Sequence, residues 1–297
     1  MLGPASRTPL QPWAELPDAE AIIAAADLKY TDAVLALAPH LRVLSRIGVG
    51  CDNVDVAAAT NRGITVCNAP DAPTTSTAEH AIALLLAVAK QIPQLQVRLQ
   101  RGDRANYFLE NRGLELSGRM LGVVGFGRVG QRVACLARGL DMDVVAYDPH
   151  ANNDSFLDCS TVRCKTLDEL LDIADNVSLH LPLTEKSRGL VDRAFLERMK
   201  SGSILINTAR GGLVDEVALC ELLNSGHLFG AGLDVFESEP VARNNPLLTC
   251  DRVVATPHVA SATDVSKLQL WSIVVGQSLD VLSGRRPAHP VNPGVIH

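Results

Sequence analysis

The chain has 297 residues, 47% of them apolar, 20% charged and 4% aromatic. That is enough apolar material for about two cored domains and too much for a disordered chain. Lys and Arg total 27 against 33 Asp and Glu, a formal net charge of −6 with no basic block, which leaves no electrostatic footprint for nucleic acid.

Residues 1–18 contain four prolines and no strand pattern, and the first seven have no apolar region of a secretory signal. From residue 20, short apolar runs alternate with helical patterns. The candidate strands are Ala21–Ala25, Val43–Ile47, Ile64–Cys67, Leu121–Gly125, Val144–Tyr147, Asn176–Leu181, Ser203–Asn207, Ala231–Val235 and Val253–Ala255. Most are continuous Val/Ile/Leu runs, the mark of parallel strands buried on both faces. Helices such as Val129–Arg138 and Asp215–Ser225 lie between them. Such βα repeats predict an α/β protein with two doubly wound parallel sheets.

Two longer helices stand out. Ser76–Gln91 opens with a capping box, Ser76 with Glu79. Its centre, Ala81–Ala89, is apolar all round and should be buried; at nine residues it falls short of the ~20 that cross a membrane. Thr263–Leu282 carries Val265, Leu268, Trp271, Val275 and Leu279 as an apolar stripe. Both helices read as crossings between domains. The expected division is residues 1–92 with 270–297 as a small domain and 93–269 as a nucleotide-binding domain. The small one shows only three strands and looks N-terminally shortened; Gly284–His297, with three prolines, should return as an extended tail. The seven cysteines, Cys51, Cys67, Cys135, Cys159, Cys164, Cys220 and Cys250, are odd in number and form no CxxC pair. They suit reduced thiols in a cytoplasm and offer no metal site.

Gly125-Phe-Gly127-Arg-Val-Gly130 is a GxGxxG run between a strand and a helix. The next strand ends at Asp148, 23 residues after Gly125. That context predicts a dinucleotide site. Gly125 makes the tight turn, Gly127 lets the backbone approach the pyrophosphate, and Gly130 packs helix on strand. The helix N-terminus faces the phosphates. Asp148 takes the ribose hydroxyls and favours NAD over a 2′-phosphorylated cofactor.

Three further segments follow strand ends: Ile206–Glu216 with Arg210, Gly230–Pro240 with Glu239, and Ala255–Ser261 with His258. Ligands of open α/β sheets bind outside the carboxyl ends of the strands. The three side chains suit hydride transfer to a 2-keto acid. A forked guanidinium holds the carboxylate and carbonyl. An imidazole exchanges a proton with the carbonyl oxygen, and a carboxylate orients that imidazole. Each alone would pass for an ion pair, a turn residue or a loop histidine.

The chain resembles the D-isomer-specific 2-hydroxyacid dehydrogenases, the family of D-3-phosphoglycerate dehydrogenase and glyoxylate/hydroxypyruvate reductase. Ser45–Asp55, Thr77-Ala-Glu-His80, Gly125–Gly130, His180-Leu-Pro-Leu-Thr184, Asn207–Glu216, Gly232–Pro240 and Thr256–Ser261 carry the resemblance, in family order. It implies Arg210, Glu239 and His258 as catalytic residues, and a Rossmann NAD-binding domain with a smaller flavodoxin-like lid. The backbone of Val49–Gly50 is implied to hold the substrate carboxylate, beside Arg210. Arg128, Val129, Asp148, Leu181, Thr208, Ala209, Asp234 and Ser261 are implied on the cofactor, with Asp234 near the carboxamide and His180 structural. A homodimer closing on a small 2-hydroxy or 2-keto acid, with NAD and no metal, follows from the same resemblance.

The family usually has about two more strands before the one at Ala21. Its phosphoglycerate enzymes place an arginine where this chain has Ala26-Asp-Leu-Lys29-Tyr30, and glycine is frequent where this chain has Val259-Ala-Ser261. The same features also suit an NAD(H)-sensing binding protein or an inactive paralogue with an incomplete lid.

Overall fold

The computed structural model describes residues 15–25, 28–104, 106–158 and 161–295. Most of the N-terminal proline-rich stretch, Ala26, Asp27 and Cys159 lie outside them. The chain divides into two compact units, residues up to Pro73 with those from Thr263, and Thr74–Ala262.

The first unit is a parallel sheet in the order β1 (Ala21–Ala24), β2 (Val43–Arg46), β3 (Thr65–Cys67). Short helices α1 (Asp32–Leu35) and α2 (Val56–Asn61) connect them, each capped by a side chain, Thr31 and Asp55. Leu35, Leu44, Ala59, Ile64 and Val66 fill the core. The tail returns to the sheet through Asn292, whose Oδ1 accepts the Val66 amide at 2.7 Å.

The second unit carries β4 (Met120–Val124), β5 (Asp143–Tyr147), β6 (Val162–Arg163), β7 (Asn176–Leu179), β8 (Ile204–Asn207), β9 (Gly230–Leu233) and β10 (Val253–Ala255). All are parallel, in the order β10-β9-β8-β7-β4-β5-β6. The sequence order reverses at the β4–β7 boundary, the topological switch point of a Rossmann sheet. The helices are α3 (Thr74–Ala89), α4 (Ile92–Gln100), α5 (Tyr107–Glu110), α6 (Arg128–Arg138), α7 (Asn153–Asp158), α8 (Leu167–Ile173), α9 (Arg193–Arg198) and α10 (Glu216–Asn224). Apolar cores lie on both faces of the sheet, one around Leu170, Leu196 and Leu219, the other around Leu85, Phe126 and Ala134.

The two long helices each belong to one unit, so the boundaries fall at 73 and 262 rather than 92 and 269. Helix α3 lies on β8, β9 and α6. Gly230 and Gly232 make room for it: a Cβ there would come within 2.6 Å of Val88 and 2.9 Å of Leu84. The helix starts at Thr74, directly after Pro73, so Ser76 sits inside its first turn and is not its cap.

Helix α11 (Asp264–Leu282) belongs to the first unit, and its expected inner stripe is its outer one. Val265, Leu268, Trp271 and Leu279 are exposed. The inward residues are Ser266, Leu270, Val274, Gln277 and Ser278. Two of the polar side chains are matched by the sheet side: Ser278 bonds the Ser45 hydroxyl at 3.0 Å, and Gln277 donates to the Asn68 carbonyl at 3.0 Å. Apolar periodicity was thus outweighed by satisfied polar contacts at close approach. Strand β6 was absent from the predicted set because both its residues are exposed at a sheet edge.

Candidate active site

The glycine loop lies at the switch point. Gly125 follows β4 with φ +91°, and a Cβ there would stand 2.6 Å from the His180 carbonyl, just after β7. Only glycine accepts both that dihedral and that contact. Gly130 is pressed against Gly125, where a Cβ would meet the carbonyl oxygen at 2.2 Å. Gly127 is the opposite case, since a Cβ there would meet nothing within 4 Å. It is also the N-cap of α6 and has no capping side chain. Open space before the amides of a first helical turn is a cradle of the kind a pyrophosphate fills.

Asp148 ties this loop to β5. Its Oδ2 accepts the Phe126 amide at 2.8 Å, and its Oδ1 those of His150 at 2.8 Å and Ala151 at 3.2 Å. Three main-chain donors leave a carboxylate room for about one more. Across the switch point, the buried Thr208 hydroxyl has no hydrogen-bond partner. An orphaned hydroxyl and an open glycine cradle in one unit fit a dinucleotide.

His180 bonds Ser178 through Nε2 at 2.8 Å, and burial pushes it down to about 3, so its ring stays neutral. Leu181 adjoins Gly125, where a Cβ would come within 2.8 Å of the Leu181 amide nitrogen. Ala209 donates its amide to Asn207 Oδ1 at 3.0 Å in the turn that carries Arg210.

The structure brings His258 and Glu239 together. His258 Nδ1 lies 2.6 Å from Glu239 Oε2, with both side chains more than a third exposed. Glu239 Oε1 accepts the Phe236 amide at 3.1 Å. Burial would raise the Glu239 carboxyl, but the His258 hydrogen bond, the Phe236 amide and the charges of His258 and Arg210 hold it below the usual carboxylate range. Arg210 is thus an electrostatic neighbour of the pair; its Nη1 donates to the Ala209 carbonyl at 2.7 Å.

His258 has φ +54°, a left-handed backbone that costs about 1–3 kcal/mol and persists only where its surroundings enforce it. Asp234 enforces it. Its carbonyl accepts the His258 amide at 2.7 Å, its Oδ1 the Val259 amide at 2.9 Å, and its Oδ2 the Ala260 amide at 2.8 Å. Asp234 has no exposed surface. Asp234 thus grips the histidine loop with both its side chain and its main chain.

Sequence reasoning missed two other supports. Gly211 lets the Arg210 turn pass the Glu239 turn, since a Cβ there would stand 1.8 Å from the Phe236 carbonyl carbon. Glu216 accepts the Glu237 amide and the Asn245 side chain, both at 2.6 Å. Position 216 at the start of a helix reads in sequence as a dipole-favoured acid and nothing more.

Val49 and Gly50 belong to the first unit, in the turn after β2. Val49 is exposed, and its carbonyl accepts Asn68 Nδ2 at 2.8 Å. Among the described residues, no cluster of three or more His, Cys, Asp or Glu side chains could hold a metal ion, and no helix is long and apolar enough to cross a membrane.

Residues 82–260 match the NAD-binding domain of the D-isomer specific 2-hydroxyacid dehydrogenases. The hydroxypyruvate reductase of Thermotoga maritima is 41% identical over 250 residues, 84% of this chain and 80% of that protein. The chain belongs to the D-isomer specific 2-hydroxyacid dehydrogenase family. The D-3-phosphoglycerate dehydrogenase of Archaeoglobus fulgidus is 41% identical over 280 residues, 94% of this chain and 52% of that one. The chain thus spans about half the length of that relative. A crystal structure of a Thermus thermophilus protein superposes with a TM-score of 0.88 at 40% identity, covering 93% of this chain and 87% of the other. The NADPH-dependent glyoxylate/hydroxypyruvate reductase of Sinorhizobium meliloti, solved with NADP and malonate, gives 0.85 at 30% identity, covering 96% and 87%. Like other family members, this 2-hydroxyacid dehydrogenase homologue keeps its nucleotide site on a Rossmann sheet, and NAD is the cofactor that sheet serves.

Proposed function

We propose that this protein is an NAD-dependent dehydrogenase that interconverts a D-2-hydroxy acid and its 2-keto acid. The observation that carries the reading is the 2.6 Å pair of His258 and Glu239, beside Arg210, in a unit that also holds the open glycine cradle. NAD supplies the hydride carrier when bound. Glu239 occupies Nδ1 of His258, so Nε2 is the ring nitrogen left to give a proton to the carbonyl oxygen, or to take one from the hydroxyl. Arg210 is permanently charged and forked, suited to the substrate carboxylate and carbonyl oxygen. The Val49–Gly50 backbone is assigned to the same carboxylate, and Thr208, Ala209, Leu181 and Ser261 to the cofactor, on the family resemblance. Asp148 favours NAD over NADP.

A homodimer is part of this reading. Helices α4 and α5 offer its surface, with Leu99, Phe108 and Leu109 each more than two-thirds exposed; a sedimentation mass of one chain would contradict it. The free cysteines among the described residues suit a cytoplasmic enzyme.

The test is turnover of glyoxylate, hydroxypyruvate, pyruvate and 3-phosphohydroxypyruvate with NADH and with NADPH. His258→Ala should lose several orders of magnitude in kcat while NAD affinity holds. Retained turnover contradicts the proton-transfer role, and a preference for NADPH contradicts the role of Asp148.

A further inference from the structure

His80 stands on α3, 176 residues from the loop it touches. Its Nε2 lies 2.9 Å from Thr256 Oγ1 and 3.5 Å from Asp234 Oδ1. The shorter distance is a hydrogen bond and the longer one is not. Thr256 Oγ1 is in turn 2.6 Å from Asp234 Oδ1. A hydroxyl has one hydrogen, and a carboxylate only accepts. The Thr256 hydrogen therefore goes to Asp234, and the Thr256 oxygen must accept from His80. The direction of the chain is fixed: His80 Nε2–H to Thr256, Thr256 O–H to Asp234. Beyond Asp234 it reaches the Val259 and Ala260 amides, which hold the left-handed backbone of His258.

We propose that His80 is a positioning residue for His258, a donor on α3 that locks the Thr256 hydroxyl onto Asp234 and so aims the loop carrying the acid–base imidazole. The role rests on the assignment of His258 made above. Without this donor, the Thr256 hydroxyl is free to leave Asp234 for another rotamer. A fully buried carboxylate oxygen then loses a short hydrogen bond. His258 keeps its ring but loses part of what enforces its backbone. A merely space-filling His80 would show no dependence on which ring nitrogen is replaced.

The test compares His80→Gln, His80→Asn and His80→Ala in the full chain. Gln carries an amide nitrogen at the reach of Nε2, whereas Asn carries one at the reach of Nδ1. Ala and Asn should lower kcat by about tenfold to a hundredfold, the cost of misplacing a catalytic group by an ångström or less. KM and NAD affinity should stay near wild type, and Gln should restore most of the loss. The second readout needs no turnover. The low-field proton of the His258 Nδ1–H···Glu239 bond, observed in protein with isotope-labelled histidine, should persist in wild type and His80→Gln and broaden in Ala and Asn. Wild-type kcat in His80→Ala, or a loss that His80→Gln does not restore, overturns the proposal. If His80→Ala fails to fold, the Gln and Asn pair decides alone. If no form of the protein turns over a 2-keto acid yet the proton signal follows this pattern, the hydride-transfer reading fails and the positioning role stands.

Discussion

Gly211→Ala is the sharpest probe of how the catalytic turns are held. The added Cβ would lie 1.8 Å from the Phe236 carbonyl carbon, 1.9 Å from its oxygen and 2.4 Å from the Glu237 nitrogen. All three are backbone atoms, so no side chain can swing aside. Ordinary contact begins near 3.4 Å, so the two turns must part by about 1.6 Å. The Phe236 amide holds Glu239 Oε1, and Glu239 holds His258, so the displacement passes directly to the imidazole. Overpacking of this severity costs about 3 kcal/mol. A unit of this size loses roughly 2–4 °C of Tm per kcal/mol, which gives a fall of about 6–12 °C. Misplacement by an ångström or more should lower kcat by about a hundredfold. Gly212→Ala is the control, because its Cβ would meet only the flexible ends of Leu183 and Arg188, at 3.1 and 3.2 Å. Calorimetry and steady-state kinetics on both variants check the argument. Equal behaviour of the two, or wild-type kcat in Gly211→Ala, would refute it.

Gly127→Ala should leave the Tm of the ligand-free protein unchanged, because its Cβ meets nothing, and should weaken NAD binding measured by calorimetric titration; unchanged affinity would remove the loop from the pyrophosphate site. His180 gives a pH dependence. Its folded value is depressed from 6.5 to about 3, so the neutral ring contributes stability that is complete above pH 6.5 and lost as pH falls toward 3. At ~1.4 kcal/mol per pH unit, about 2 kcal/mol should go between pH 6.5 and 5. Denaturant midpoints of wild type and His180→Gln check this, and parallel slopes of stability against pH would count against it.

The sheets were legible in the sequence because buried parallel strands are written as unbroken apolar runs, as at Leu205–Ile206 and Val144–Val145. The glycine loop and the pairing of His258 with Glu239 near Arg210 were legible because each segment follows such a run. The long helices were not. All-round apolarity in α3 reports burial but not against what, and the stripe of α11 points outward because Gln277 and Ser278 find partners on the sheet side. Nor were the supports legible. The grip of Asp234 on residues 258–260 joins two separate strand ends, and the contact of His80 with Thr256 spans 176 residues of chain.

Asp234 holds residues 258–260 by their main-chain nitrogens alone. Such a clasp cannot tell one side chain from another. Side chains in the Val259-Ala-Ser261 segment can therefore be exchanged without loosening the clasp, while the aim of the ring passes through a single acid on a different strand end.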